Sequence, residues 1–241
     1  MMVDKSLIFD FGIGNGGDTD FYLNLGFTVV AIDADVHVCS ALETRYHNLL
    51  GTQLHVINCI VGSETPGSQL GKFFRNLEFP NLSSTLASWA TRDGGLVQEI
   101  YVETCNLEGL FGQFGVPYYL KSDIEGAELN LLKELMSLNL NPEYLSVEDC
   151  RFGPDYLRLM LQMGYQSFSI VDQFELEANG ENDKVSTAKG TSGPFGPWLQ
   201  TEWVQRENIL EFYFSTVRDQ NGVRLSPIGH WFDLHASLRR I

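Results

Sequence analysis

The run Leu7-Ile8-Phe9-Asp10-Phe11-Gly12-Ile13-Gly14-Asn15-Gly16-Gly17 constrains the fold more than any other stretch of this chain. Residues 7–11 are apolar apart from Asp10, the pattern of a strand buried on both faces. The glycines demand a tight turn where backbone can approach a ligand too closely for any Cβ. Asp18-Thr19-Asp20 offers N-cap chemistry for a helix closed by Gly26, and the β-branched run 27–32 reads as a second strand. Asp33 follows that strand, about 20 residues past the turn, where a carboxylate can accept hydrogen bonds from ribose hydroxyls.

Strand, glycine turn, helix, strand and acid together make half of a Rossmann-like sheet that holds an adenosine-bearing cofactor. The spacing Gly12-x-Gly14-x-x-Gly17 also fits a dinucleotide fingerprint, so an NAD(P)-binding oxidoreductase stays open on these residues. Asp10 argues against it. A carboxylate two residues before the first glycine repels a pyrophosphate and suits a ligand carrying an ammonium and a sulfonium, as S-adenosylmethionine does. Alternatively, Asp10 only caps the turn.

Alternating units continue along the chain. Helices are expected at 37–50, 125–138 and 154–163, and strands at 54–61, 118–122, 144–147, 166–171 and 209–217. A helix period is plain in Leu129, Leu132, Leu135 and Met136. The expected fold is α/β, a doubly wound, mostly parallel seven-stranded sheet with helices on both faces, in one domain over 1–241. Residues 63–105 read as an antiparallel insertion with hairpin strands at 71–74 and 99–104. Residues 175–205 read as a lid-like loop, because a long polar stretch ends in the proline-stiffened aromatics of 193–198. Trp198 and Trp203 would stack on a substrate or anchor the lid. His230 and His235 lie beyond the last expected strand and read as surface or core residues.

With 31 acids against 16 Lys and Arg the chain carries a net charge of −15. That opposes binding to a phosphate backbone, so nucleic acid is set aside as a partner. The four cysteines, Cys39, Cys59, Cys105 and Cys150, form no metal or disulfide spacing, and no apolar run is long enough to span a bilayer. The expectation is a cytoplasmic protein without a membrane partner, with homo-oligomers left open.

Ligands of such sheets bind outside the carboxyl ends of the strands. Here those ends are acidic: Asp10, Asp33, Asp123, Glu148 and Asp149. The cofactor set is expected to be Asp10, Gly12, Gly14, Asn15, Gly16, Asp33, Ala34, Ile60 and Asp123. Asp123 and Glu125 are the catalytic candidates, although Asp123 can equally cap a helix and Glu125 can be a plain first-turn acid. Glu128 reads as packing support or an outward ion-pair partner. Asp123, Glu125 and Glu148 offer the oxygen ligands Mg²⁺ prefers, but nothing in the spacing demands a metal and none is expected.

Asp10-x-Gly12-x-x-x-Gly16-x-x-Thr19, Val30-Ala31-Ile32-Asp33 and above all Lys121-Ser122-Asp123-Ile124-Glu125-Gly126-Ala127-Glu128 resemble the FkbM-type methyltransferases. Further agreement lies in 82–86, 144–148 and 192–196, so the resemblance spans roughly residues 6–200. It departs at Gly14, where the family often has Asn or His. The resemblance implies S-adenosylmethionine as cofactor and O-methylation of a small-molecule hydroxyl on a sugar, glycosylated metabolite or polyketide. A catalytically silent module on the same fold is a further alternative.

Overall fold

A computed structural model describes residues 2–63, 69–175 and 191–241. The chain alternates as the sequence implies. β1 (Val3–Phe11), α1 (Gly17–Asn24), β2 (Thr28–Asp33), α2 (Val36–Arg45) and β3 (Leu54–Asn58) form the first half. An excursion follows, with β4 (Leu70–Asn76), α3 (Ala87–Ala90) and β5 (Val97–Glu103). The second half holds α4 (Leu107–Phe114), β6 (Val116–Ser122), α5 (Glu128–Leu138), β7 (Tyr144–Glu148), α6 (Gly153–Gln162) and β8 (Ser167–Asp172). After it come β9 (Val204–Gln205), α7 (Ile209–Thr216) and β10 (Phe232–Ser237).

The main sheet has eight strands in the order β3-β2-β1-β6-β7-β10-β8-β9. β3, β2, β1, β6 and β7 run parallel, and β10 is inserted antiparallel between β7 and β8. Strand order reverses beside β1, which has β2 on one flank and β6 on the other. That switch point opens a crevice at the carboxyl ends. Because β10 is antiparallel, its N-terminal end lies at the same edge. The excursion is the expected antiparallel insertion, with β4 paired to β5 as a separate two-stranded sheet.

Each strand feeds two cores, since successive side chains point to opposite faces. Leu7, Phe9 and Phe11 face the layer of α4 to α7, with Leu131, Leu135, Tyr156 and Tyr213. Ile8 faces the layer of α1 and α2, with Tyr22, Tyr119, Tyr144 and Phe195.

Two expectations are corrected. Residues 209–217 form a helix, not a strand: Ile209, Tyr213 and Val217 recur every four residues and are fully buried. The last strand is β10, whose Phe232, Leu234 and Ala236 join the apolar core while Asp233 and His235 are buried polar residues alternating with them. The second correction concerns the lid. Residues 176–190 lie outside the described residues, but 191–198 are tucked beneath the sheet. Phe195 is fully buried and stacks on Tyr119 with ring centroids 4.0 Å apart. The amides of Ser192 and Gly193 donate to the Asp18 carboxylate at 3.2 and 2.7 Å. Trp198 packs on Phe27 and Trp203 on Tyr144, so neither is free to stack on a ligand. No helix among the described residues is long and apolar enough to cross a membrane.

Candidate functional site

The glycine turn is held from below. Gly12 has φ +81°, and a Cβ there would stand 1.8 Å from the Asp123 carbonyl oxygen. The close approach of β1 and β6 therefore requires a glycine at position 12, which also lines the cleft described below. Gly14, with φ +54°, is different: a Cβ there would meet nothing within 4 Å, and the residue lines a cleft. Asn15 shares that wall, its Oδ1 accepting from the Gly17 amide at 2.8 Å. Gly16 faces a neighbouring groove instead.

Asp10 does not reach the cleft. It is fully buried, accepts from Thr19 Oγ1 at 2.6 Å and lies 3.3 Å from Lys121 Nζ. Lys121 also stands 3.4 Å from Asp18 and donates to the Gly12 carbonyl at 2.6 Å. Burial pushes the Asp10 carboxyl up to about 6 against the pull of Lys121. The charge expected to meet a ligand's cation is thus met by a lysine of the chain itself. Lys121 went unrecognised in the sequence, although a lysine inside the apolar run 118–122 was a signal of a buried ion pair. Asp10 and Lys121 together position the turn.

The cleft has a volume of about 720 Å³ and runs from Asp33, Ala34 and Ile60 to Asp123, Glu125 and Glu148. Asp33 Oδ2 accepts from the Ile13 amide at 3.0 Å and Oδ1 from the Asp35 amide at 2.8 Å, with the Gly14 amide adding a third bond. Burial raises its pKa above the ordinary carboxylate value while those amides oppose the rise. A carboxylate has about four lone-pair positions, so capacity for a hydroxyl remains. Ile60, Val61, Phe73 and Val38 supply an apolar wall beside it.

At the other end Asp123, just past β6, Glu125, and Glu148, closing β7, bring carboxylate oxygens within 4.8 Å of one another. Glu125 has φ +54°, an uncommon conformation for a residue with a side chain. It is held there: Oε2 accepts from Trp89 Nε1 at 3.0 Å and pairs with Arg92 at 2.7 Å, and its carbonyl accepts from Ser84 Oγ at 2.7 Å. Burial, then the Asp123 charge, pushes the Glu125 carboxyl up to about 8. Burial and its acidic neighbours push Glu148 well above the carboxylate range, and Asp123 is raised too, eased by Lys121 and by a hydrogen bond with Glu148. Asp123 and Glu148 thus stand close enough for the charge of one to raise the proton affinity of the other. This all-oxygen set is of the kind that hard divalent cations also take. Glu128 lies behind it, accepting from the amides of Ile124 and Gly126 at 2.8 and 2.9 Å, and so clamps the turn that carries Asp123 and Glu125. The cleft is completed by Asn81, Ser83 and Thr85 from the insertion and by Trp231, which precedes β10. Ser83 and Thr85 lie in the stretch 82–86 that shares in the family resemblance, but none of the four was given a site role from the sequence. His230 sits next to Trp231 with Nδ1 2.7 Å from Asp172.

Residues 15–170 match the sequence profile of the methyltransferase FkbM domain. No curated protein matches the chain. Among solved structures, it is similar to precorrin-6y C5,15-methyltransferase from Geobacter metallireducens, at 6% identity and TM-score 0.42 over 98% of this chain and 82% of that one. It is similar to precorrin 8w decarboxylase of Methanobacterium thermoautotrophicum at 10% identity and TM-score 0.39, covering 98% and 83%. A geranyl diphosphate methyltransferase in complex with GPP and sinefungin gives 12% identity and TM-score 0.38, covering 99% and 73%.

Proposed function

The chain belongs to the FkbM methyltransferase family, and from that premise we propose that it transfers the methyl group of S-adenosylmethionine to a hydroxyl of a small molecule, a sugar or glycosylated metabolite. The observation that carries this reading is the single cleft that joins Asp33 and the glycine turn to the three acids near Trp231. The residues present suit the cofactor. Asp33 keeps lone-pair capacity for a ribose hydroxyl, the apolar wall with Ile60 and Phe73 suits a purine face, and Gly14 leaves open the space a side chain would fill. When bound, the cofactor supplies an electrophilic methyl group on a cationic sulfur.

The chain's own residues do the rest. Holding the acceptor in line with the donor is worth roughly 7–11 kcal/mol of barrier. The Asp123–Glu148 pair takes the proton from the acceptor hydroxyl as its oxygen is alkylated, a step worth about 10²–10⁴-fold. Glu125, fixed by Trp89 and Arg92, lines the cleft beside Asp123, while Glu128 clamps the turn that carries both. Asn81, Ser83, Thr85 and the Trp231 ring offer the hydroxyl, amide and aromatic contacts that a polyol takes.

Calorimetry tests the cofactor half: S-adenosylhomocysteine should saturate one site per chain and NAD should not bind. The reverse result would replace this reading by an oxidoreductase. Turnover is expected to survive EDTA, since proton removal is assigned to carboxylates; loss of turnover restored by Mg²⁺ would move Asp123, Glu125 and Glu148 to a metal site.

A further inference from the structure

Five carboxylates line the cleft, Asp33, Asp35, Asp123, Glu125 and Glu148, and among its described lining residues none is Lys, Arg or His. Three arginines come near it and each is paired: Arg75 lies 2.7 Å from Asp35, Arg92 2.7 Å from Glu125, and Arg45, in the adjoining groove, lies 3.2 Å from Asp20 and donates to the Asn15 carbonyl at 3.3 Å. Arg151 stacks over Trp89 and Phe152, outside the lining. Lys121, the buried cation nearest the turn, is held by Asp10, Asp18 and the Gly12 carbonyl. Phosphate recognition needs arginine or lysine donors, or a helix N-terminus that faces the ligand. The N-terminus of α1 does not serve: Gly16 turns to the neighbouring groove, and the Asp18 carboxylate caps Ser192 and Gly193.

Resting on the methyltransferase reading, we infer that the acceptor is a hydroxylated glycoside carrying no phosphate. The chain would act after a glycosyl transfer has attached the sugar, not on the nucleotide-activated sugar. In that preceding reaction the bond from the anomeric carbon to the phosphate oxygen breaks, the glycosidic bond forms, and the nucleoside diphosphate leaves with the electron pair. In the methylation the new O–CH₃ bond forms as the S–CH₃ bond breaks, and the hydroxyl proton passes to the Asp123–Glu148 pair. A diphosphate in this cleft would find no Lys, Arg or His among its described lining residues and would meet the Asp33 carboxylate, whose partners are backbone amides, where a partly buried environment strengthens like-charge repulsion. The remaining wall is matched to a neutral sugar: Asn81, Ser83 and Thr85 for hydroxyls, Trp231 for a ring face.

The test is calorimetry on protein saturated with S-adenosylhomocysteine. Matched pairs are titrated, the methyl glycoside and the nucleoside-diphosphate form of glucose, galactose, mannose and rhamnose. At least one methyl glycoside should bind, and each that does should bind 10-fold or more tighter than its nucleotide form. Asn81→Lys, which adds a cation to an exposed position of the lining, should close that gap. A nucleotide sugar binding as tightly as its glycoside, or no binding by any glycoside, overturns the inference. Failure of S-adenosylhomocysteine to bind at the outset would instead remove the reading on which it rests.

Discussion

Asp33 and Lys121 show how two charged residues of one turn come to do different work. Asp33 stands at the cleft with amides on both oxygens, so its contribution falls on a bound nucleoside. Hydrogen bonds to a charged group are worth about 1.5–3 kcal/mol, and Asp33→Ala is expected to weaken S-adenosylhomocysteine binding about 10-fold or more while the protein stays folded. Unchanged affinity in a folded variant would remove Asp33 from the site. Lys121 is buried with two carboxylates, and its loss leaves them without compensation, a change that costs about 3–5 kcal/mol. Protonation offers relief, since Asp10 titrates near 6. Lys121→Met should therefore lower Tm much more at pH 8 than at pH 5.5, and an equal loss at both would place the lysine's value in packing alone. At this scale the sequence was legible where strand ends carried the information: the carboxylates at 123, 125 and 148 do converge, and Asp33 lies at the other end of the same cleft. It was illegible for Asp10, because whether an acid meets a ligand or a lysine depends on a residue 111 positions away that only strand pairing brings beside it.

Elements were legible where one period dominated. β1, β2, β6, β7, α5 and α6 lie within a few residues of expectation, because buried parallel strands and amphipathic helices each leave a clean pattern. Residues 209–217 failed for a physical reason: the run is aromatic on several faces of the helix, which hides the four-residue recurrence of Ile209, Tyr213 and Val217. β10 failed for the opposite reason. Its inward face carries Asp233 and His235, so it looks like a polar tail, yet all six of its residues are buried. The segment 191–198 is the instructive error, since glycine, proline and aromatics suit a lid and a core plug equally. Phe195 stacks on Tyr119 and packs against Tyr22, Phe27 and Trp198. Phe195→Ala is thus expected to cost about 3–5 kcal/mol of stability, as buried aromatic truncations do. Thermal melts should show that loss, with acceptor KM unchanged in the protein that remains folded. A normal Tm with a raised acceptor KM would restore the lid.

Across the whole molecule, burial of acids decides how stability depends on pH. Asp10 is pushed up to about 6, and Glu128 and Asp233 to about 7, with burial the largest cause for each. In the unfolded chain such groups ionise near 4, so between about pH 4 and 7 the folded state holds protons that the unfolded state has lost. Their stabilisation is complete below pH 4 and is lost as pH rises through 6 to 7. His235 acts in the other direction. Buried in β10, it is lowered to about 3, so the unfolded chain takes up a proton below about 6.5 that the folded chain refuses. Its contribution is present above pH 6.5 and fades as pH falls. These three carboxyls, with Glu125 raised to about 8 acting in the same direction, outweigh one imidazole. Each proton held only by the folded state tilts stability by about 1.4 kcal/mol per pH unit, and each kcal/mol moves Tm by about 2–4 °C in a domain of this size. The ligand-free protein should therefore melt about 5 °C or more higher at pH 5.5 than at pH 7.5. Asp233→Asn removes one of the three carboxyls and should flatten the slope, whereas His235→Gln should steepen it. A Tm that rises with pH across this interval would mean that the buried acids are compensated by groups other than protons, and would return Asp233 and Glu128 to ordinary ionised roles.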